Sequence, residues 1–538
     1  MSEEEPKQCE EVSEDPQPNP VNANCGEEVP EDPSSSAPVH DACCEEEEVP
    51  VDPAVVSDAT PLVVETEQGR KARIAVAGCS HGEMEKIYEV MQLIEQEKGY
   101  KFDLLICCGD YQAIRNYGDL HHMKAPQHHK KLQTFYKYYS GEKVAPVLTL
   151  FIGGNHESCG YMAELPNGGW VAPKIFYMGY ANVVNFAGLR IAGLSGIFDG
   201  RKFDMNHYER PPYVEMGDLY GAYYVRNVDM FRLKQLRPAN DDKTSNPIDI
   251  MLTHDWPSGI ANFGDAERLF SIKKDFRRDH EAGKLGNPQS MKLLYDVRPR
   301  YWLSAHLHIA FAALVPHKGS GDARPQPTRF LSLDKPILRR QFLQALELNI
   351  KDDAKMELSY DTQWLAILKN TDHLTSCEKT NVFLPGPNND GTRHDFRPTK
   401  EEIDEILELG EFPIDEMNFK QTAPPLIEVT EESKNAASSL YYRNPQSADF
   451  CSWLNIKDLN KMMCDNNSED IGTPYYMTSV ESLNQDDVDF GDESFVIDRG
   501  DAEPEAKRPR MSEEGEKEGE DETLQEIKAE QKEEDGTI

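Results

Sequence analysis

Seven short apolar runs limit how this chain can fold more than any other feature of its sequence. Each run has the length of a β-strand, and most of the runs end in Gly, His, Asp or Asn. Segments with helical periodicity separate several runs, and residues 83–97 are the clearest of these. Buried strands that alternate with helices predict a layered α/β domain, in which functional side chains gather at the C-terminal ends of strands. The runs are residues 73–77, 103–108, 147–152, 189–194, 248–252, 301–305 and 329–333.

The distribution of charge restricts the folded part to the middle of the chain. Residues 1–70 carry 20 acidic and 2 basic side chains, and residues 481–538 carry 22 acidic and 7 basic ones. Segments this acidic, with few aromatic residues, bury too little apolar surface to offset the entropy that folding costs. We therefore expect a disordered acidic arm at 1–70, a main domain at 71–350, a small accessory region at 351–455 and a disordered acidic tail at 456–538.

The net charge of −39 would suggest a poor binder of nucleic acid, but residues 71–350 carry 36 basic and 30 acidic side chains. Phosphate contacts depend on local Lys and Arg, so a nucleic-acid substrate stays open. The eleven cysteines include no C-x-x-C pair, which argues against a zinc ribbon or a disulfide framework. No apolar stretch approaches the roughly 20 residues that cross a bilayer, and no signal peptide is recognisable. We expect a soluble protein that is not secreted and binds no membrane.

A short basic cluster, Lys507-Arg508-Pro509-Arg510, interrupts the acidic tail. A nuclear-import signal and a chance run of charge explain such a short motif about equally well. On the first interpretation the protein is located in the nucleus.

Polar side chains with metal-binding chemistry follow five of the predicted strands. Each motif is weak alone, because a single His at a strand end is more often structural and Gly-Asp is a common turn. Their succession in one chain is much more specific. In order, the motifs are Gly78-Cys79-Ser80-His81-Gly82, Cys108-Gly109-Asp110, Gly153-Gly154-Asn155-His156-Glu157, Thr253-His254-Asp255 and Ala305-His306-Leu307-His308.

This succession resembles the calcineurin-like metallophosphoesterase superfamily, which implies a layered β-sandwich flanked by helices and a centre of one or two divalent metal ions. By this resemblance Asp110 bridges two ions, Asn155, His254 and His306 hold one of them, and His81 and His308 hold the other. Mixed nitrogen and oxygen ligands suit Fe²⁺, Zn²⁺ or Mn²⁺. The resemblance also implies that a metal-activated hydroxide attacks phosphorus while His156, which is no ligand in the superfamily, protonates the leaving oxygen.

Cys79 departs from the superfamily, most of which has Asp at this position. An inert strand-end cysteine, or a generic phosphoesterase that has lost one ligand, would explain it. However, Gly-Cys-x-His-Gly is typical of one branch, the lariat debranching enzymes. A thiolate is a softer ligand than a carboxylate, so a metal ion next to Cys79 would be held weakly or selectively.

The resemblance to lariat debranching enzymes extends beyond the ligand positions. It runs from about residue 73 to 350, continues weakly to residues 418–425, and implies hydrolysis of the 2′–5′ phosphodiester at the branch point of excised intron lariats, which linearises the intron for turnover. The main domain is then the catalytic domain, and the expected partner is branched intron RNA, with no DNA. Further similar stretches are residues 168–173, 194–197, 207–213, 224–226 and 300–308.

Residues 198–226 are unusually aromatic and basic for a connecting segment. Aromatic rings can stack on unpaired bases, and Arg or Lys can follow phosphates. Composition alone favours a packed surface loop with structural tyrosines. The resemblance instead implies a lariat-recognition segment, in which we predict substrate contacts from Tyr208, Tyr213 and Arg226.

Two other clusters are predicted to be solvated basic faces first and phosphate contacts second. One comprises His121-His122-Met123-Lys124 and His128-His129-Lys130-Lys131, and the other comprises Lys273, Lys274, Arg277 and Arg278. Neither matches a ligand position of the superfamily.

Two rival functions remain open at this point. A phosphoesterase with another substrate should have Asp in the first motif and no aromatic, basic segment, whereas this chain has Cys79 and residues 198–226. An inactive scaffold should have lost ligands, yet all except the first-motif Asp are present, and His156 remains. Debranching of RNA is therefore the favoured interpretation.

Overall fold

All seven predicted strands are present in the computed structural model of the chain, which describes residues 69–213, 215–238, 247–319, 325–387, 392–410, 412, 414–466 and 471–478. Residues 1–68 of the predicted acidic arm, the acidic tail from residue 479 and the basic cluster at 507–510 lie outside the described residues. The strands are β1 (Lys71–Ala77), β2 (Leu104–Cys107), β3 (Thr149–Phe151), β4 (Gly169–Ala172), β5 (Ile175–Tyr177), β6 (Ala181–Phe186), β7 (Leu189–Leu194), β8 (Ile250–Thr253), β9 (Tyr301–Ser304), β10 (Phe311–Val315), β11 (Thr328–Ser332), β12 (Leu343–Asn349), β13 (Leu358–Tyr360), β14 (Tyr441–Tyr442) and β15 (Ile471–Gly472).

Two mixed sheets stack face to face. Their strand orders are β12-β1-β2-β3-β5-β4 and β10-β11-β9-β8-β7-β6-β13. Alternation along β1 shows how the layers form: Ile74 and Val76 join the apolar core between the sheets, with Leu252 of β8, while Ala75 and Ala77 face the opposite layer. The predicted class, a β-sandwich flanked by helices, is confirmed.

Helices cover the outer face of each sheet. The predicted helix at 83–97 is α1, which ends at Gly99 in the left-handed conformation (φ 70°) and packs with α2 on the first sheet. On the second sheet α5, α8, α9 and α12 form the outer layer. The helices are α1 (Met84–Lys98), α2 (Phe135–Ser140), α3 (Cys159–Ala163), α4 (Met216–Gly221), α5 (Asn227–Lys234), α6 (Ala266–Ile272), α7 (Lys274–Glu281), α8 (Pro288–Val297), α9 (Thr362–Asn370), α10 (Lys400–Glu408), α11 (Glu431–Lys434), α12 (Pro445–Leu454) and α13 (Leu459–Asp465).

Five short 3₁₀ helices lie in the connections between these elements, within the part of the chain that the structure describes. They span Tyr117–His122, Gln127–His129, Ile260–Phe263, Asp372–Leu374 and Glu416–Asn418. No helix of the described residues is long and apolar enough to cross a membrane.

Residues beyond 350 are integrated with the sandwich. Strand β13 pairs with β6 at the edge of the second sheet, and Trp364 of α9 is buried in the outer core of that sheet. Asp361 caps α9 through the Trp364 N–H and accepts hydrogen bonds from Arg190 of β7 at 2.8 and 2.9 Å. The division into a catalytic domain and an accessory region thus stays a prediction, but the contact between the two is extensive.

The tail boundary predicted at residue 456 is too early. Helix α13 and strand β15 lie beyond it, and both Met463 and Cys464 are buried, so this segment has an apolar core of its own against Tyr441. The sequence did not indicate this boundary, because α13 has few apolar residues and the acidic chain beyond residue 480 lies close to it.

Candidate metal centre

Parallel pairing brings the predicted ligand motifs to one edge of the sandwich. Strands β1, β2 and β3 are parallel in the first sheet, as are β7, β8 and β9 in the second. The side chains of Cys79, His81, Asp110 and His308 each offer a ligand atom, and these atoms all lie within 4.8 Å of one another. Imidazole, thiol and carboxylate donors at this separation can share one metal ion.

The backbone at these positions is strained. His81, Asp110, His306 and His308 have φ values of 46°, 49°, 64° and 48°, the left-handed region that side chains with a Cβ rarely adopt. Such conformations persist where the surrounding structure holds them, and they cluster at functional sites. Gly154 makes room for the centre, since a Cβ there would lie 2.2 Å from Asp110 Oδ1.

A second group of donors lies on the other side of Asp110. The Nε2 atom of His254 lies 3.4 Å from Asp110 Oδ1 and 3.2 Å from Asn155 Oδ1. Its Nδ1 atom lies 2.8 Å from the Cys108 carbonyl oxygen, so Nδ1–H donates there and the Nε2 lone pair is directed into the site. The His306 ring lies 5.0 Å from the His254 ring, and the His306 N–H donates to Cys79 Sγ at 3.1 Å. All seven predicted ligands therefore lie in one cluster, although their roles as ligands stay a prediction.

The charge state of this cluster suits a cation. Burial opposes ionisation of Asp110, but His254, His156 and His81 outweigh it and hold the pKa of this carboxyl well below its usual range. Burial lowers the pKa of His81 to about 4 and that of His306 to about 3, so both imidazoles are neutral and can donate a lone pair. The exception is His254, because contact with Asp110 outweighs burial and raises its pKa.

Two buried groups have unused capacity for a metal ion. Among the described residues, Asp110 Oδ2 is a buried oxygen with no hydrogen-bond partner. Such an oxygen is costly to bury unless a cation compensates it. Burial, followed by the charge of Asp110, raises the pKa of the Cys79 thiol well above its usual value, so Cys79 would become a ligand only with a metal ion that displaces its proton. The residues present thus fit a divalent metal centre.

His156 lies beside the cluster and is not one of the four residues whose ligand atoms lie within 4.8 Å of one another. The backbone N–H of His156 donates to Asp110 Oδ1 at 2.8 Å, and the imidazole ring lies 5.7 Å from the ring of His81. Its Nδ1 atom lies 2.8 Å from the carbonyl oxygen of Lys124. Because a carbonyl only accepts, Nδ1 carries a proton and Nε2 is the atom left for proton transfer.

Two supporting residues were not predicted. Glu157 accepts hydrogen bonds from the N–H groups of Tyr111 (2.7 Å), Gln112 (2.8 Å) and Gly154 (3.1 Å), and so ties the second and third motifs together. Burial and the nearby Asp110 raise the pKa of Glu157 to about 7. The Gln112 amide lies 3.2 Å from His81 Nδ1 and orients that ring. Glu157 could have been identified from its place in Gly-Asn-His-Glu, whereas nothing in the sequence around Gln112 indicates its role.

Arg226, a predicted RNA contact, is fully buried. It donates to both carboxylate oxygens of Glu209 at 2.7 Å and to the carbonyl oxygen of Gly221 at 2.9 Å. A guanidinium used in this way has no surface to offer a substrate. The role of Arg226 is therefore corrected from RNA contact to internal support of the recognition segment, residues 198–226.

The two predicted tyrosines also face inward. Tyr208 is 6% exposed, and Lys202 contacts its hydroxyl group. The hydroxyl group of Tyr213 is buried, and its ring packs edge-on against His122 at 5.4 Å. Their contact with RNA stays a prediction, and in this structure both rings pack chiefly within the protein.

The histidine cluster is not uniformly solvated. His122 is 1% exposed, and its Nε2 atom lies 2.9 Å from the Ser438 hydroxyl, so the predicted solvated basic face is wrong for this residue. Burial lowers the pKa of His122 to about 4. The second predicted face differs, because Arg277 and Arg278 of α7 are exposed.

Comparison with known proteins gives consistent matches along the described residues. Residues 72–310 match the family model of calcineurin-like phosphoesterases, and residues 325–459 match that of the C-terminal domain of lariat debranching enzyme. The second match begins before residue 350, where the sequence placed the domain boundary.

Three relatives illustrate the range of similarity. A lariat debranching enzyme of Caenorhabditis elegans is 65% identical over 465 residues, which cover 84% of this chain and 93% of the relative. The Caenorhabditis briggsae protein of the same name is 64% identical over 466 residues, covering 84% of this chain and 91% of the relative. The Homo sapiens lariat debranching enzyme is 42% identical over 427 residues, covering 78% and 74%.

Proposed function

We propose that this chain, which belongs to the lariat debranching enzyme family, is a metal-dependent phosphodiesterase that hydrolyses the 2′–5′ linkage at the branch point of excised intron lariat RNA. The observation that carries the proposal is the cluster of Cys79, His81, Asp110 and His308, with His156 beside it. The products are a branch nucleotide with a free 2′-hydroxyl group and an RNA arm that ends in a 5′-phosphate.

The residues that would hold the metal ions divide into two groups around Asp110. His81, His308 and Cys79 lie on one side, and His254, Asn155 and His306 on the other. When bound, the ions supply positive charge to the phosphate oxygens and make the attacking water more acidic. Nitrogen, oxygen and sulfur donors together favour Fe²⁺, Zn²⁺ or Mn²⁺ over Mg²⁺ or Ca²⁺.

His156 is proposed as the general acid. The attacking water oxygen bonds to phosphorus and releases one proton to solvent, the bond between phosphorus and the 2′ oxygen breaks, and the proton on Nε2 of the imidazolium form of His156 passes to that oxygen. Solvent then returns a proton to Nε2. The Lys124 carbonyl holds Nδ1–H at 2.8 Å and so keeps Nε2 directed at the leaving group. Acid catalysis of this kind contributes on the order of 100- to 10,000-fold in rate.

Positive charge next to the centre supports a polyanionic substrate. The Lys335 ammonium lies near enough to His81 and His308 to lower the pKa of both rings, after the larger effect of burial. An RNA phosphate at the centre would therefore enter a field that attracts it. DNA lacks the 2′ oxygen through which the branch is formed, so we propose that only branched RNA is cleaved.

We also propose that the protein acts in the nucleus, with residues 507–510 as the import signal.

The proposal is tested by hydrolysis of a synthetic branched RNA beside its linear 3′–5′ counterpart, with Mn²⁺ or Fe²⁺ supplied. Wild type should cleave at the 2′–5′ linkage alone, and His156→Ala should lose roughly 100-fold or more in rate. Lys98→Ala, at the exposed end of α1, is a control for a change of charge and should leave the rate unchanged. Equal cleavage of both RNAs, or turnover of simple phosphate esters alone, would favour a general phosphoesterase instead.

A further inference from the structure

The segment 121–124, which the sequence marks by its two histidines, connects three functional parts of the protein. It begins with the last two residues of the 3₁₀ helix Tyr117–His122 and ends at Lys124, whose carbonyl oxygen lies 2.8 Å from His156 Nδ1. We refer to residues 121–124 as the linking segment. It contacts both the recognition segment and the C-terminal region, by which we mean residues 351–455. These contacts determine which movements can reach the carbonyl group of Lys124.

The linking segment contacts the recognition segment at two points. The Lys124 ammonium lies 4.6 Å from the centre of the Tyr220 ring, the geometry of a cation–π interaction. The His122 ring meets the Tyr213 ring edge-on at 5.4 Å. Lys124 therefore contacts the general acid through its backbone and the recognition segment through its side chain.

The start of the linking segment is held rigidly by buried charges. Arg115 and Asp119 are both fully buried and form a two-pronged ion pair at 2.8 and 3.0 Å. Arg115 also donates to Glu164 at 2.8 Å and to the Thr422 hydroxyl at 2.9 Å. Buried, fully bonded networks of this kind hold one geometry.

The C-terminal region holds the same segment from outside. His122 Nε2 lies 2.9 Å from the Ser438 hydroxyl, and the Ser439 N–H donates to the Gly118 carbonyl at 3.2 Å. With one end fixed in this way, a displacement of the Lys124 side chain must be taken up by the short stretch next to it. That stretch contains the carbonyl group that orients His156.

We propose that Lys124 is a positioning residue for debranching: its contact with Tyr220 sets the position of its carbonyl group, and thereby aligns His156 with the leaving oxygen when the recognition segment holds branched RNA. The proposal rests on the debranching function proposed above. It gives the recognition segment a role in the rate of the chemical step besides substrate binding. A misplacement of a catalytic group by about 1 Å can cost up to 100-fold in rate.

The test uses single-turnover hydrolysis of branched RNA by the full chain. Lys124→Met keeps the carbonyl group and the length of the side chain but removes the charge over Tyr220. Tyr220→Leu removes the ring face. Arg73→Met is the matched control, because Arg73 also lies over a tyrosine ring, that of Tyr100 at 4.9 Å, in the first half of β1, whereas the ligand motif follows the other end of this strand.

We expect Lys124→Met to lower the maximal rate about 10-fold, with the concentration of RNA for half-maximal rate changed less than about twofold. Tyr220→Leu should have the same effect, and the double variant should be no slower than either single variant, because the two changes break one interaction. Lys124→Arg should restore most of the rate. In a His156→Ala background, Lys124→Met should have no further effect.

Three results would overturn the proposal. A higher half-maximal concentration with an unchanged maximal rate would make Lys124 a simple phosphate contact. If the double variant lost the product of the two single losses in rate, Lys124 and Tyr220 would act independently. If Lys124→Met lowered the rate as much in the His156→Ala background as in wild type, Lys124 would not act through His156. If Lys124→Met is unstable, Lys124→Arg and Tyr220→Leu alone still decide the matter. Failure of wild type to cleave branched RNA would instead contradict the debranching function itself.

Discussion

The metal centre and the recognition segment satisfy their polar groups in opposite ways. In the centre, Asp110 Oδ2 is buried without a hydrogen-bond partner, and its neighbours His81 and His308 adopt left-handed backbone conformations. In the recognition segment, Arg226 is paired with Glu209, and His207 Nε2 lies 2.6 Å from Asp229 Oδ2. The centre therefore retains binding capacity at a cost in stability, whereas the recognition segment uses its charges to hold its own shape.

This difference indicates where substitutions should affect activity and where they should affect folding. Substitution of a donor of the centre should lower activity more than stability, because an atom that is available to the cation, such as Asp110 Oδ2, makes no hydrogen bond within the fold. Charges of the recognition segment are needed by the fold, because removing one partner leaves the other buried without compensation.

The largest expected effect is that of Asp110→Asn. The amide oxygen can still accept the backbone N–H of His156, but the negative charge at the centre is lost, so hydrolysis of branched RNA should fall by on the order of a thousandfold or more. Metal analysis of the purified variant should give less bound ion than wild type. The chelator-treated variant should lose less free energy of unfolding than Glu209→Gln, since the new amide still accepts the backbone N–H of His156, and His254 can become neutral once Asp110 no longer raises its pKa. A large loss of stability would show that the fold itself needs the Asp110 charge.

Glu209→Gln should lower stability more than it lowers metal binding, the reverse of Asp110→Asn. Arg226 would remain fully buried with its charge uncompensated, so the free energy of unfolding should fall by about 3–5 kcal/mol in urea denaturation. Replacing both partners, Glu209→Leu with Arg226→Met, should cost less than Glu209→Gln alone. If the single variant were as stable as wild type, the ion pair would not be what holds the segment.

The smallest expected effect concerns His122, which lies between the two regions. Burial lowers its pKa from 6.5 to about 4, so the unfolded chain binds a proton more readily than the folded one as pH falls through this range. The stability contributed by the neutral ring is thus present above pH 6.5 and lost towards pH 4, by up to about 3 kcal/mol. His122→Gln keeps a hydrogen-bonding group near Ser438 but does not titrate. The difference in unfolding free energy between wild type and this variant should therefore shrink as pH falls from 7 to 4, and a constant difference would show that His122 does not titrate as described.

The sequence predicts a region well when its contacts join residues that are close along the chain or follow paired strands. Each candidate ligand follows a strand directly, and parallel pairing brings strand ends together, so local motifs were enough to identify Asp110 or His308. The apolar runs likewise predicted the layers of the sandwich, because a strand that is buried on both faces needs a continuous run of apolar side chains. The edge strand β13 and the late helix α13 were not predicted, since both are short and are stabilised by distant partners.

The inward orientation of the recognition segment could not be read from composition. Arg226 and Tyr208 look like RNA contacts in sequence, and only the fold shows that Glu209 and Lys202 use their polar groups. The buried His122 forms a hydrogen bond with Ser438, which lies 316 positions further along the chain. Pairings at such separations leave no local pattern.

The most direct test of the central claim, that the residues around Asp110 form the metal centre of a debranching enzyme, is metal depletion and return. The chelator-treated chain would be assayed on branched RNA before and after addition of Fe²⁺, Zn²⁺ or Mn²⁺, with Asp110→Asn in parallel. The account predicts that chelation abolishes cleavage of the 2′–5′ linkage, that at least one of these ions restores it in wild type, and that none restores it in the variant. Undiminished cleavage by the metal-free chain, or restoration in Asp110→Asn, would contradict it.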